Sequence, residues 1–132
     1  MSEFRSDLLV RLIRGAHEHG RQVWALTASF RYSSDLLGQE VTVPAGFVTD
    51  FESIPLPALS FAGPGCPEAG VVHDWLYQSH QCADKSQADQ VYREAMLVAG
   101  LDPVWADQRF GAVQFYGEKA WDTGPGRLQV LT

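Results

Sequence analysis

The sequence predicts an α+β fold: a small N-terminal antiparallel sheet followed by a helical hairpin and a third helix. Apolar residues recur with period two in the first third, and the period changes to three and four after residue 67. Prolines and glycines fall between these blocks, where the chain must turn. With 132 residues, 45% of them hydrophobic, the chain is long enough for one core and too short for two, so 1–132 reads as a single domain.

Leu8, Val10 and Leu12 alternate with Leu9, Arg11 and Ile13, which marks a first strand. Gly15 to Gly20 reads as a turn, and the run Val23 to Tyr32 returns as a second strand to make a hairpin. Ser33-Ser34-Asp35 and Gly38 mark the next turn, Glu40-Val41-Thr42-Val43 a third short strand, and Pro44-Ala45-Gly46 its end. His17 and His19, with Glu18 between them and no thiol nearby, read as a solvated hairpin tip rather than a metal pair.

Phe47 to Pro57 reads as an ordered loop, because Pro55 and Pro57 each remove a backbone donor and disfavour helix before them. Thr49, Asp50, Glu52 and Ser53 set oxygen-bearing side chains between the anchors Phe47, Phe51 and Ile54. Asp50 and Ser53 suit a helix cap or Asx turn; the same oxygens suit a functional loop facing the helix that follows.

Pro67-Glu68 starts that helix, with proline in the first turn and an acid favoured by the dipole, and it runs to about Ser79. A polar connection reaches Asp84, which caps the next helix unless Ser86 does; with Ser86 as cap, Asp89 completes a capping-box variant. Ala88, Val91, Tyr92, Ala95, Val98 and Ala99 keep helical spacing until Gly100, and the two helices should lie antiparallel with Asp89 near the first. Asp102-Pro103 opens a third helix whose apolar residues, Val104 to Trp121, are too widely spread for one core-facing stripe. Thr123-Gly124-Pro125-Gly126 reads as a break before a Leu128-to-Leu131 tail, which would add an edge strand or dock on another subunit.

The formal net charge of -6, from 10 basic against 16 acidic residues, argues against nucleic acid as a partner. No apolar run approaches the roughly 20 residues of a transmembrane segment, and the first residues lack a signal-peptide pattern. A cytoplasmic setting is expected. Cys66 and Cys82 bracket the first helix without zinc-site spacing, and two reduced thiols are favoured over a bridge.

The candidate chemistry centres on Val71-Val72-His73-Asp74-Trp75-Leu76-Tyr77. On a helix, His73 and Tyr77 are four apart and Asp74 and Tyr77 three apart, so an imidazole, a carboxylate and a phenol project from adjoining faces. His73 suits a general base toward water and Asp89 an acid that orients it. Asp74 and Asp50 suit metal ligands, calcium above all, with Thr49, Ser53 and Tyr77 in support. The rival reading makes His73 a core histidine bonded to Asp50 or Asp89. A serine triad lacks its Gly-x-Ser-x-Gly elbow, and nothing beside Cys66 or Cys82 lowers a thiol's pKa.

Val43 to Pro55, His73-Asp74-Trp75-Leu76-Tyr77, and Ala88-Asp89 followed by Ala95-Met96 resemble, in that order, a family of small uncharacterised proteins of tailed phages and prophages. That resemblance implies phage origin and brings no activity. The His73, Asp74 and Tyr77 pattern also resembles the His-Asp-x-x-Tyr helix of phospholipase A2. There the histidine activates water, the adjoining aspartate binds calcium with loop carbonyls, and a second helix supplies an aspartate behind the histidine, here Asp89. The cysteine usual three positions before the histidine is Gly70 in this chain, and no glycine-rich calcium loop is recognisable.

Two functions follow as expectations. One is a phage-encoded, metal-assisted hydrolase acting on a lipid or another envelope ester. The other is a non-enzymatic virion or tail component, or a factor that binds a host protein, in which the His-Asp cluster is structural. The setting is then the cytoplasm of the bacterial host or the phage particle, with a phage or host protein as partner; the sequence leaves the oligomeric state open.

Overall fold

The computed structural model describes residues 1–18, 21–51 and 65–132, with side chains at 16–18 and 21 left aside. The α+β class holds, with six strands in the N-terminal half and four helices after them among the described residues. The strands are β1 (Glu3–Phe4), β2 (Val10–Glu18), β3 (Arg21–Leu26), β4 (Phe30–Ser34), β5 (Gln39–Val43) and β6 (Val48–Thr49). The helices are α1 (Pro67–Ser79), α2 (Lys85–Val98), α3 (Pro103–Tyr116) and α4 (Glu118–Arg127).

The expected single sheet is in fact two three-stranded antiparallel sheets, ordered β1-β4-β5 and β2-β3-β6. The run Val23 to Tyr32 is not one strand. It breaks at Thr27–Ser29, where Thr27 N–H turns to the Leu9 carbonyl at 2.9 Å, and its halves enter different sheets. In β4 the alternation is plain, with Phe30, Tyr32 and Ser34 buried and Arg31 exposed. Glu94 of α2 joins this sheet to the helices: the hydroxyls of Tyr32 and Ser34 donate to its Oε1 at 2.7 and 2.8 Å, and the Leu36 amide donates to Oε2 at 3.0 Å.

The expected third helix is two. Gly117 stands between α3 and α4: its N–H bonds the Val113 carbonyl at 2.8 Å to close the first, and its carbonyl accepts the Trp121 amide at 2.9 Å to open the second. The expected break at Thr123–Gly126 does not occur, and Pro125 lies inside α4. Proline there cannot donate to the carbonyl of Trp121 four residues back. His80 takes over: its Nε2 donates to the Trp121 oxygen at 2.9 Å, and its ring stacks on the Trp121 indole at 3.7 Å. A tertiary contact thus satisfies the carbonyl that proline orphans.

The helical hairpin forms as expected, with Asp84 rather than Ser86 as cap: its side chain accepts the Gln87 amide at 2.9 Å. That leaves Asp89 free of capping duty. The tail docks on its own chain through an isolated antiparallel bridge between Val130 and Phe47, with Val48 N–H on the Gln129 carbonyl at 3.0 Å and Leu131 N–H on that of Gly46 at 2.8 Å. Phe30, Tyr32, Val43 and Phe47 from the sheets pack with Val71, Val72, Leu76, Val91, Ala95 and Met96 in one core. Helix α1 lies at its centre, buried at every position from Ala69 to Gln78. Both cysteines are free thiols.

Candidate functional site

Because α1 is buried on all sides, its polar residues have to find partners inside the protein. His73 and Asp74 point to different ones. His73 turns toward α2, where its Nε2 lies 2.8 Å from Asp89 Oδ1. Tyr77, one turn on, donates its hydroxyl to the same oxygen at 2.6 Å, and Lys85 donates to Oδ2 at 2.8 Å. The imidazole stacks on Tyr92 at 4.4 Å and leans against Tyr77 at 4.1 Å. His73 and Asp89 are each only 1% exposed.

Burial pushes the Asp89 carboxyl up, but the hydrogen bond and charge of His73, with the bonds from Lys85 and Tyr77, outweigh it and hold the group below the usual carboxylate range. Ionised Asp89 only accepts, so all three partners donate. In the neutral ring the His73 hydrogen is therefore on Nε2, and Nδ1 is the nitrogen with a lone pair.

Asp74 turns toward β6. Its Oδ2 accepts the Thr49 hydroxyl at 2.7 Å and its Oδ1 the Gln78 amide at 3.0 Å. Burial raises its pKa to about 7, the negative charge of Asp50 adds to the rise, and Thr49, Gln78 and the charge of Arg127 offset part of it. Thr49 Oγ1 also accepts the Phe51 amide at 2.9 Å, which ties off a tight turn. Phe51 has φ of 66°, the left-handed region that a residue with a Cβ seldom adopts. Its carbonyl lies against Gly70, where any Cβ would overlap it. That contact gives a physical reason for glycine three positions before His73.

The structure thus brings together His73, Asp89 and Tyr77 in one group, and Asp74 with Thr49 and, through its charge, Asp50 in a second. Ser53, with Glu52 and the rest of the loop beyond Phe51, lies outside the described residues, as do the side chains of His17 and His19. Sequence reasoning missed Lys85, although its spacing of four from Asp89 on one helix was a signal, and missed Gln78, four from Asp74. Nothing local pointed to Arg127. The buried Arg109 of α3 was missed as well; its Nη1 lies 3.4 Å from the Tyr92 hydroxyl.

Among the described residues no three His, Cys, Asp or Glu side chains converge as a metal site. What does gather around Asp74 is oxygen: two carboxylates, the Thr49 hydroxyl and Gln78, whose Oε1 is buried without a hydrogen-bond partner. Such hard, neutral and anionic oxygens are the donor set calcium takes.

Asp74 makes stability depend on pH in a direction opposite to the usual one. Between about pH 4, the usual carboxylate value, and about 7 the folded chain holds the proton while the unfolded chain has lost it. Stability therefore falls as pH rises through that window. In metal-free buffer, Asp74→Asn is expected to flatten the fall and to stabilise the protein near neutral pH by on the order of 1–3 kcal/mol, read from thermal melts across the window. An unchanged slope would place the effect on another group.

The architecture defines an α+β protein in which a buried His-Asp network joins its two central helices. The family profile described as "Protein of unknown function (DUF1353)" matches residues 24–113, and the chain belongs to that family. The matched span holds both halves of the site except Arg127. No curated protein and no solved structure matches the chain. No helix among the described residues is long and apolar enough to cross a membrane.

Proposed function

We propose that this chain is a phage-encoded hydrolase of the phospholipase A2-like kind, in which His73 is the general base and Asp89 the acid that orients it. The observation that carries this reading is the commitment of Nε2 to Asp89 at 2.8 Å, with Tyr77 and Lys85 completing the carboxylate. Nδ1 is then the atom that takes a proton from water as the water oxygen bonds to an ester carbonyl. Asp89 stabilises the imidazolium that results, and the ring returns the proton to the departing alkoxide. Asp74 and Asp50, with Thr49 and Gln78 beside them, are the residues that would hold calcium; when bound, the ion polarises the ester carbonyl. The strained Phe51 next to Asp50 and the raised Asp74 are features that cluster at working sites. A host cytoplasm or a phage particle suits this activity.

A second reading, a non-enzymatic virion, tail or host-binding protein, is favoured by the 1% exposure of His73 and the three donors that engage both oxygens of Asp89. There the network locks α1 to α2, and the outer face of α3, with Val104 60% and Phe115 79% exposed, is the contact surface. His73→Gln separates the two, since its amide nitrogen extends to the place of Nε2 and can still donate to Asp89. Against aryl esters and phospholipid vesicles with and without calcium, the hydrolase reading expects turnover to drop by roughly 10²–10⁴ while the fold is kept. Wild-type protein that hydrolyses none of these, with a variant whose only change is a lower melting temperature, would leave the structural reading.

A further inference from the structure

Lys85 stands where α2 meets the junction of α3 and α4. Its Nζ donates to Asp89 Oδ2 at 2.8 Å and to the carbonyls of Val113 at 2.9 Å and Gln114 at 3.3 Å. Those acceptors use every hydrogen of an ammonium group. Gly117 makes the approach feasible: a Cβ there would overlap the Tyr77 hydroxyl and the Val113 carbonyl, and would press on Lys85 Cε at 3.2 Å. One bare backbone position therefore admits both of the groups that share Asp89 with His73.

The charge of Lys85 matters beyond its packing. If Asp89 took up a proton, the carboxylic acid could donate to Nε2, the ring hydrogen would move to Nδ1, and the base would be lost. Tyr77 is neutral and opposes this only weakly. The ammonium opposes it directly, because a charged donor on Oδ2 favours the carboxylate. Lys85 does this from a position 14% exposed, beside a surface groove of about 370 Å³ lined also by Asp84, Ser86, Gln114 and Glu118.

We propose that Lys85 is the positioning residue of the His73 site: acting through Asp89, it fixes the ring hydrogen on Nε2 and keeps the lone pair on Nδ1. The assignment deepens, and rests on, the reading of His73 as a base. The hydrogen bonds of Lys85 go to Asp89 and to the end of α3, and none goes to the ring.

The test uses full-length protein with ¹⁵N-labelled histidine, at a pH where the ring is neutral. Proton–nitrogen correlations then show which ring nitrogen carries the hydrogen. Wild type should show His73 with Nε2–H alone, and Lys85→Met should add a second His73 signal, from Nδ1–H. If the methionine variant does not fold, Lys85→Gln gives the same comparison, since its amide can donate to Asp89 without the charge. A folded variant that keeps the single wild-type signal would overturn the proposal and leave Lys85 as a cap on the end of α3. The hydrolase reading fails separately: a second signal in the variant, with no ester turned over by wild type, upholds Lys85 and removes the reaction.

Discussion

Asp89→Ala is expected to lower the folding free energy by about 3–5 kcal/mol, the cost of removing one member of a buried, charged network. The carboxylate is 1% exposed and accepts from His73, Tyr77 and Lys85, so its loss strands an imidazole and a phenol in the core and leaves an ammonium with carbonyls alone. Asp89→Asn should fall between, since one oxygen remains for His73 and Tyr77 while the new amide points donor against donor at Lys85. Urea titration of the three proteins measures it. The pH dependence carries the opposite sign to that of Asp74. The Asp89 carboxyl is held below the usual range, so its contribution is present above about pH 4 and lost as pH falls through the lower folded value. Wild type should therefore lose stability on acidification at the foot of the curve, and Asp89→Ala should not. A cost under about 1 kcal/mol would mean that the stranded donors find other acceptors, and that the network does not hold the hairpin.

Gly124→Ala is the second large effect. Gly124 is buried on α4, and a Cβ there would run into the backbone carbonyl of Tyr77 and the Cα of Gln78, so the obstruction is the main chain of a fully buried helix. Neither helix can yield by a rotamer change, and the cost should reach about 3 kcal/mol. The same substitution at Gly111, exposed on α3 with nothing within 4 Å of the added carbon, should instead stabilise by roughly 0.5–1 kcal/mol through helix propensity. The pair is a controlled comparison of one methyl group in two settings, measured by thermal or urea unfolding. Equal effects would show that α4 slides on α1 without penalty. The alanine at 124 should also pull Trp121 away from His80 and so expose the carbonyl that Pro125 leaves without its helical partner.

What could be read from the chain was what spacing alone controls. The hairpin of α1 and α2 follows from caps and a three-and-four apolar repeat, and the same repeat sets Asp89 beside His73. The docking of the tail was one of two outcomes left open. The features that escaped depend on partners far away in sequence. Thr27–Ser29 carries neither glycine nor proline, so nothing local says that the strand through it divides between sheets. Gly117 sits in an apolar helical pattern and gave no sign that it separates two helices. Pro125 reads as a breaker until His80 is seen on the Trp121 carbonyl. At the site, Lys85 and Gln78 were available from a spacing of four, whereas the influence of Arg127 on Asp74 needs α4 folded back onto α1.

The bridge that joins Gln129 and Leu131 to Val48 and Gly46 ties the segment just before Thr49 and Asp50 to the residues that follow α4. Loosening a few C-terminal residues would therefore free the neighbours of the Asp74 cluster while leaving the His73 network untouched. Amide exchange would register this as the Val48 and Leu131 protons opening together, ahead of the helices.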